Sequence, residues 1–156
     1  MATRWPGPSY EVRADFRAPL DFVYRWCTDF SDKDAVYEGD TYERRILRRT
    51  SKQVVYEDLQ ETANGWLWAR HVVTLLPPNR WHSDSVGSHR DIRLDYRLSR
   101  VGAEGTRLTL KARRRPTGVG TKNLPRSKWE KSVHETWMKF GKAMEREYRQ
   151  KRARKR

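Results

Sequence analysis

The clearest structural signal in this chain is the stretch SKWEKSVHETWMKFGKAMEREYRQ, which runs from Ser127 to Gln150. Its apolar side chains recur at spacings of three and four, which is the period of one face of an α-helix. They are Trp129, Val133, Trp137, Phe140, Met144 and Tyr148. On the other faces acids precede bases by four residues, as in Glu135 and Lys139, which suits an exposed side. The pattern predicts a long amphipathic helix whose apolar face needs a broad partner surface.

The start of this helix has the form of a capping box. Ser127 and Glu130 have the S-x-x-E spacing. In that motif the serine hydroxyl accepts from the amide of the third residue, and the glutamate reaches back to the serine amide. Pro125 lies just upstream and suits a chain that enters a helix. We therefore expect the helix to begin at Ser127 with this cap.

Length and charge predict one domain with a basic end. The chain has 156 residues and a formal net charge of +14, and this length is usual for a single domain. Lys151–Arg156 carry five of the positive charges, which leaves +9 (14 − 5) on the first 150 residues. We predict a single domain over 1–150 and a basic tail over 151–156. Such charge favours nucleic acid, anionic membrane or acidic partners, or serves solubility alone.

The compartment is predicted from what the chain lacks. Cys27 is a single cysteine, so an internal disulfide and a multi-cysteine zinc site are excluded, and a reducing compartment fits. Residues Met1–Pro8 have no apolar signal-peptide core, and no apolar run reaches membrane-spanning length. The sequence therefore predicts a soluble, cytoplasmic protein.

The first part of the chain predicts a strand followed by short helices. Apolar and polar residues alternate over Tyr10–Phe16, which is typical of a half-buried strand. Ala18-Pro19 follows, and proline suits the first turn of a helix. A helical stripe then consists of Leu20, Val23, Tyr24 and Cys27. We expect a break over Asp29–Asp34 with at most a short second helix.

Six further strand patterns follow, separated by short turns. They cover about Thr41–Arg49, Gln53–Gln60, Gly65–Leu75, Arg80–Val86, Arg90–Leu98 and Thr106–Arg114. The separators are rich in Gly, Asn, Pro and Ser, which is typical of hairpin turns. Because parallel neighbours need a long crossover, such short turns predict antiparallel pairing. The long helix is the obvious cover for one face of this sheet.

This order of elements resembles the helix-grip fold of the START/polyketide-cyclase superfamily (SRPBCC). The resemblance rests on the strand Tyr10–Phe16, on Ala18–Trp26 with Thr28 and Asp29 after it, and on the helix Trp129–Tyr148. It implies an α+β fold, in which a curved seven-stranded antiparallel sheet wraps around the C-terminal helix. It also implies a ligand cavity between sheet and helix. The superfamily includes lipid carriers, hormone receptors, aromatase/cyclases and co-chaperones, so the resemblance implies no particular ligand.

His71 is the most interesting polar candidate. If Leu67, Ala69, Val73 and Leu75 form the covered face of their strand, His71 lies in the middle of that face. There it would orient a ligand or act as an acid/base. It would otherwise be a hydrogen-bonded core histidine, or the strand would turn its other face inward. That other face is Trp66, Trp68, Arg70 and Val72.

The remaining candidates for chemistry have simpler interpretations. His82 and Asp84 share one strand face, and we interpret them as a solvent-facing polar pair. Cys27 lies on an apolar stripe and is interpreted as a small buried hydrophobe. The segment Gly118–Lys122 lacks P-loop spacing and is interpreted as a flexible linker. We therefore expect no metal and no cofactor.

The sequence favours binding of a small apolar or amphipathic molecule, lipid- or polyketide-like, between sheet and helix. The expected cavity walls are His71, Leu94, Tyr96, Leu110, Trp129, Val133, Trp137 and Phe140. The first alternative is a cyclase/aromatase-type enzyme in which His71 or a tyrosine transfers a proton.

The second alternative is binding of non-specific nucleic acid or an anionic membrane surface through basic clusters. These clusters are Arg44, Arg45, Arg48, Arg49 and Lys52, then Lys111 with Arg113–Arg115, and the tail. No nucleic-acid module signature accompanies them, which favours a solvated cationic surface. Ligand identity and oligomeric state stay open at this stage.

Overall fold

The computed structural model of the chain describes residues 9–88, 90–116 and 125–156. Its strands are β1 (Ser9–Phe16), β2 (Glu43–Arg49), β3 (Gln53–Thr62), β4 (Gly65–Leu76), β5 (Arg80–Gly87), β6 (Arg90–Val101) and β7 (Gly105–Pro116). Its helices are α1 (Leu20–Cys27), α2 (Lys33–Glu38) and α3 (Arg126–Ala153). Every predicted strand is therefore present, and the short second helix follows the predicted break.

The helix-grip architecture is confirmed. The seven strands form one curved antiparallel sheet in the order β1-β7-β6-β5-β4-β3-β2. Only β1 and β7 pair across a long stretch of sequence, and all other neighbours are consecutive hairpins. α3 packs against β1, α1 packs against β6 and β7, and α2 packs against α3. Within the described residues, no helix is long and apolar enough to cross a membrane.

The predicted capping box is wrong. α3 begins at Arg126, its N-cap position is Pro125, and no side chain caps it. Glu130 instead accepts a hydrogen bond from the backbone N–H of Glu11 at 3.2 Å, and one from Nε of Arg126 at 2.7 Å. β1 is an edge strand, so its outward N–H groups lack a ladder partner, and this one recruits Glu130. At its other end α3 continues through Ala153, so the first three tail residues are helical.

The core consists of two clusters along the apolar face of α3. The cluster near the start of α3 contains Tyr10, Val12, Leu110, Ala112 and Trp129. The larger cluster surrounds Met144. It contains Phe22 and Val23 of α1 together with buried strand residues such as Phe16, Leu98 and Leu108. Trp137 and Tyr96 pack against both clusters. The helix stripe predicted from Trp129 to Tyr148 is therefore the stripe that meets the sheet.

A bulge in β2 changes which residues face the helices. Ile46 pairs with Tyr56 and Arg48 pairs with Val55, so Leu47 is an extra residue without a pairing position. Since a single extra residue inverts the alternation, Arg44 before the bulge and Arg49 after it both point inward. Arg49 accordingly donates to the backbone carbonyls of the segment that joins α1 to α2.

Candidate functional site

A cavity of about 330 Å³ opens between the concave face of the sheet and the α1–α2 side of the molecule. Residues from α2, the segments around it and strands β2 to β6 line it. They are Phe30, Glu38, Asp40, Tyr42, Arg44, Tyr56, Asp58, His71, Trp81, Ser83, Arg90, Leu94 and Tyr96. The lining is apolar and aromatic on one side and charged on the other.

The aromatic side is an ordered stack. The rings of Trp81 and Tyr96 are nearly parallel, with centroids 4.7 Å apart. The ring of Trp137 on α3 meets Tyr96 edge-on at 5.9 Å. Trp137 in turn contacts Phe140 at 5.3 Å. Because such ring contacts fix orientation as well as distance, α3 supports the aromatic wall from behind.

Phe30 belongs to a second aromatic stack, and its backbone has an unusual conformation. Its φ is +49°, a left-handed value that side chains with a Cβ rarely adopt. Its ring stacks on Tyr56 with centroids 5.2 Å apart, and Tyr56 stacks on His71 at 4.4 Å. Strained backbone of this kind persists where the surroundings over-determine it. The stack of three rings therefore holds Phe30 at the cavity wall.

The charged side is organised by Arg44. Its side chain is only 6% exposed, and it donates to both carboxylate oxygens of Asp58, at 2.8 and 2.9 Å. It also forms an ion pair with Asp34 of α2. Its guanidinium lies over the ring of Tyr56 at 4.2 Å. The charge of Arg44 is therefore neutralised inside the protein by two carboxylates.

The carboxylates around Arg44 differ in their affinity for protons. Burial raises the pKa of Asp34 to about 6, although Arg44 opposes the rise. Burial likewise raises the pKa of Glu38 to about 7, with Asp34 and Asp40 adding to the effect. The pKa of Asp58 is lowered despite its burial, because Arg44 and His71 hydrogen-bond to it. Glu38 also accepts a hydrogen bond from the hydroxyl of Tyr42 at 2.9 Å. A carboxyl group that titrates near neutrality thus lies on the cavity wall.

His71 faces inward, which answers the question that the alternation of β4 left open. Its Nδ1 hydrogen-bonds Oγ of Ser85 at 2.6 Å, and its Nε2 lies 3.5 Å from Oδ2 of Asp58. Trp66 and Trp68 consequently lie on the outer face, 59% and 37% exposed. Ser85 is 4% exposed and lies outside the cavity lining, so the row Ser85–His71–Asp58 offers no accessible nucleophile. It orients the imidazole instead.

The expected wall residues divide into two groups. His71, Leu94 and Tyr96 line the cavity. Leu110 and Trp129 are buried in the core cluster near the start of α3, and Val133 and Trp137 pack against that cluster. Phe140 is buried against Trp26 and Trp137. The predicted α3 residues therefore do not line the cavity and lie behind its wall.

Sequence reasoning missed the charged half of the cavity and four of its aromatic rings. The missed lining residues are Phe30, Glu38, Asp40, Tyr42, Arg44, Tyr56, Asp58, Trp81, Ser83 and Arg90. One signal was available in β3, where Val54, Tyr56 and Asp58 share a face. An aspartate that continues an otherwise apolar face indicates a polar partner inside the fold.

The other candidates stay outside this cavity. His82 lies between two carboxylates, with Nε2 3.1 Å from Asp84 and Nδ1 2.8 Å from Asp95. Among the described residues no group of three or more His, Cys, Asp or Glu side chains is placed to hold a metal. Cys27 packs against the core, and burial raises the pKa of its thiol. The segment Gly118–Lys122 lies outside the described residues.

The basic clusters are less exposed than their sequence suggests. Arg44 and Arg114 are buried, and Arg115 forms an ion pair with Asp91 at 2.7 Å. A shallow groove of about 770 Å³ lies between α1 and the end of α3, away from the cavity described above. Its lining contains both acids, such as Glu147, and bases, such as Lys151. Binding of nucleic acid or membrane through the remaining charge stays a prediction.

Comparison with solved structures gives matches along nearly the whole chain. The START superfamily protein from Mycobacterium smegmatis superimposes with a TM-score of 0.66 at 16% identity, over 92% of this chain and 99% of that one. This chain has the helix-grip fold of the START superfamily. The Zhui aromatase/cyclase from Streptomyces sp. R1128 has the same helix-grip fold, with a TM-score of 0.66 at 16% identity over 91% of this chain and 93% of its own.

A third helix-grip structure, TTHA0849 from Thermus thermophilus, gives a TM-score of 0.69 at 18% identity. The match covers 89% of this chain and 95% of that protein. No family model matches the chain, and no curated protein matches it in sequence. At these identities the likeness establishes the fold alone.

Proposed function

We propose that this protein binds a small amphipathic molecule with a flat apolar part in the cavity between sheet and helices. The observation that carries the proposal is the division of one cavity into a stacked aromatic wall and a hydrogen-bonded charged wall. Trp81 and Tyr96 offer a surface on which a ring stacks, while Ser83 beside them and His71 on the next strand offer polar contacts. Binding sites for small molecules are usually built this way, with few polar groups that fix orientation.

The size of the cavity limits the ligand. A volume of about 330 Å³ lies at the small end of the ~300–1,000 Å³ typical of such sites. A compact ring system therefore fits better than a long lipid chain. The two helix-grip neighbours described as an aromatase/cyclase and a START superfamily protein support binding of hydrophobic ligands in general.

A neutral fluorescent probe tests the proposal. N-phenyl-1-naphthylamine should bind with increased emission and should raise the melting temperature by mass action. Leu94→Trp places a large ring on the cavity wall and should abolish binding. Val86→Trp makes the same kind of addition on the outer face, where Val86 is 47% exposed, and should leave binding unchanged. Probe binding that survives Leu94→Trp, or that is absent from the wild type, would contradict the proposal.

Glu38 favours a second candidate function, proton transfer to or from the bound molecule. A general base works best when its pKa lies near the operating pH, and Glu38 lines the cavity with a pKa of about 7. We propose Glu38, with His71 as an orienting group, for the enzymatic alternative. Deuterium exchange at the α-carbon of 1-tetralone, followed by NMR, measures this activity. Exchange should exceed the buffer rate in the wild type and in Glu43→Gln, which alters an exposed carboxylate, and should fall to the buffer rate in Glu38→Gln.

A further inference from the structure

Arg114 is a buried arginine whose donors are not all used. It lies on the inward face of β7, two residues beyond Ala112, and is 4% exposed. Its guanidinium lies over the ring of Trp129 at 5.4 Å. Its Nε and Nη1 are buried and have no hydrogen-bond partner among the described residues. Because nearly all buried donors in folded proteins are satisfied, these two groups indicate a partner that residues 9–88, 90–116 and 125–156 do not supply.

Arg90 brings a second positive charge to the same end of the sheet. Ile92 pairs with Arg114 across β6 and β7, and Arg90 precedes Ile92 by two residues on the same inward face. Arg90 lines the cavity and is solvent-exposed. Burial first, and then repulsion by Arg90, lower the pKa of Arg114 to about 10. The two side chains are therefore close enough to repel each other.

No carboxylate of the described chain compensates this pair. Asp91 forms an ion pair with Arg115 at 2.7 Å, and Glu130 forms one with Arg126 at 2.7 Å. None of the ion pairs found among the described residues includes Arg90 or Arg114. Arg44, on the other side of the cavity, is neutralised by Asp34 and Asp58. The cavity lining thus has one compensated arginine, Arg44, and one, Arg90, that forms none of these ion pairs. Arg114 is outside the lining and is buried behind it, near Arg90 at the β6–β7 end.

We propose that Arg90 and Arg114 bind the anionic group, a carboxylate, sulfonate or phosphate, of the molecule that occupies the cavity. The proposal rests on the proposed function and specifies its ligand as an acid. Arg90 and Leu94 lie on one face of β6, four residues or about 13 Å apart along the strand. A compact amphiphile whose ring contacts Leu94 and Tyr96 therefore extends its anionic end toward Arg90. An arginine pair suits this task because guanidinium groups donate to oxyanions with strong, charge-assisted hydrogen bonds.

Two probes with one aromatic skeleton test the proposal. 8-Anilinonaphthalene-1-sulfonate carries a sulfonate, and N-phenyl-1-naphthylamine is its neutral counterpart. The wild type should bind the sulfonate at least tenfold more tightly. Arg114→Gln should reduce that preference to near parity without weakening the neutral probe. Arg113→Gln is the matched control, because it removes the same charge from the outer face of the same strand.

The outcomes separate this proposal from the one on which it rests. Equal affinity for both probes in the wild type would overturn the anion site alone, as would an equal loss of sulfonate binding in Arg113→Gln. Failure of both probes would overturn the ligand cavity itself. Sodium sulfate distinguishes the sources of the anion. If sulfate alone, compared with chloride at equal ionic strength, stabilises the wild type but not Arg114→Gln, the site accepts free oxyanions. If only the sulfonate probe shows the preference, the site recognises the anionic end of an amphiphile.

Discussion

Gly141 of α3 lies directly against the ring of Phe16, so that a Cβ on this glycine would be 2.9 Å from both Cδ1 and Cε1. Phe16 is 2% exposed at the end of β1 and belongs to the main core cluster. The absence of a side chain at position 141 therefore sets how closely the helix approaches the sheet.

Gly141→Ala should consequently destabilise the protein. In an exposed helix this change stabilises by about 1 kcal/mol, but here the methyl group displaces a buried ring. Overpacking of this kind costs about 1–3 kcal/mol, and urea denaturation measures it. Ser132→Ala, at an exposed position of α3, should change stability by less than ~0.5 kcal/mol. A rise in the urea midpoint for Gly141→Ala would show that the contact is loose.

Trp137→Ala should also destabilise the protein, because its ring joins both core clusters. It contacts Phe16 at 6.3 Å, Tyr96 at 5.9 Å and Phe140 at 5.3 Å. Trp137 is half-buried, so we expect the lower end of the range for tryptophan truncation, about 3 kcal/mol. Met138→Ala removes a side chain that is 40% exposed and should cost less than ~0.5 kcal/mol. An equal effect of the two changes on the urea midpoint would mean that α3 does not grip the sheet.

Glu38 should make stability fall as the pH rises. Its folded pKa of about 7 exceeds the ordinary value of 4.5, so between these values the folded state binds more protons than the unfolded state. Ionisation of Glu38 therefore opposes folding above neutral pH. Glu38→Gln should be more stable than the wild type at pH 8, by about 1–2 kcal/mol after allowance for solvent screening. The difference should shrink as the pH falls through about 7 and should vanish only below the unfolded pKa of 4.5. Glu43→Gln should show no such dependence, and a constant difference for Glu38→Gln across this range would refute the assignment.

Arg44→Met should be strongly destabilising at pH 8. It leaves Asp34 and Asp58 without their common partner, and removal of one member of a buried ion pair costs about 3–5 kcal/mol. The loss should be smaller at pH 5, because the uncompensated carboxyl groups can then bind protons. Arg45→Met, which changes the exposed neighbour, serves as the control in the same urea titrations. Equal stability of Arg44→Met and Arg45→Met would show that the network adds nothing.

Arg114→Met should have the opposite sign. The substitution replaces a buried cation with two unsatisfied donors by an apolar side chain of similar length. Removal of such groups should stabilise the ligand-free protein by about 1 kcal/mol or more, since an unsatisfied buried donor costs about 1–3 kcal/mol. Differential scanning calorimetry of the ligand-free protein measures the change. A lower melting temperature would mean that Arg114 already has a partner.

The fold was predictable from sequence because its signals are local. The alternation of Tyr10–Phe16 and the stripe from Trp129 to Tyr148 follow from the periods of strand and helix, and both elements are present. The cap at Ser127 failed because Glu130 finds its partner in β1, more than a hundred residues away in sequence. No local pattern contains that contact.

The charged half of the cavity was not predictable for the same reason. Arg44 meets Asp34 and Asp58 only after α2 and the β2–β3 hairpin are in place. The bulge at Leu47 then inverts the alternation, so Arg49 joins the inward face although a regular strand would turn it outward. His71 was a candidate from the sequence, but which face of β4 it lies on became known only from the pairing of β4 with β3 and β5.

The bulge in β2 also affects whether two copies of the protein can pair edge to edge through their sheets. β2 is one of the two edges of the sheet, and an exposed edge is a template on which another chain can add a strand. The extra residue Leu47 interrupts the row of backbone groups that such an addition needs. Arg45 and Arg48 are exposed on this edge, so a second β2 laid against it would bring like charges together. At the opposite edge Glu130 already occupies the N–H of Glu11. Each border of the sheet thus carries its own obstacle to intermolecular growth and aggregation.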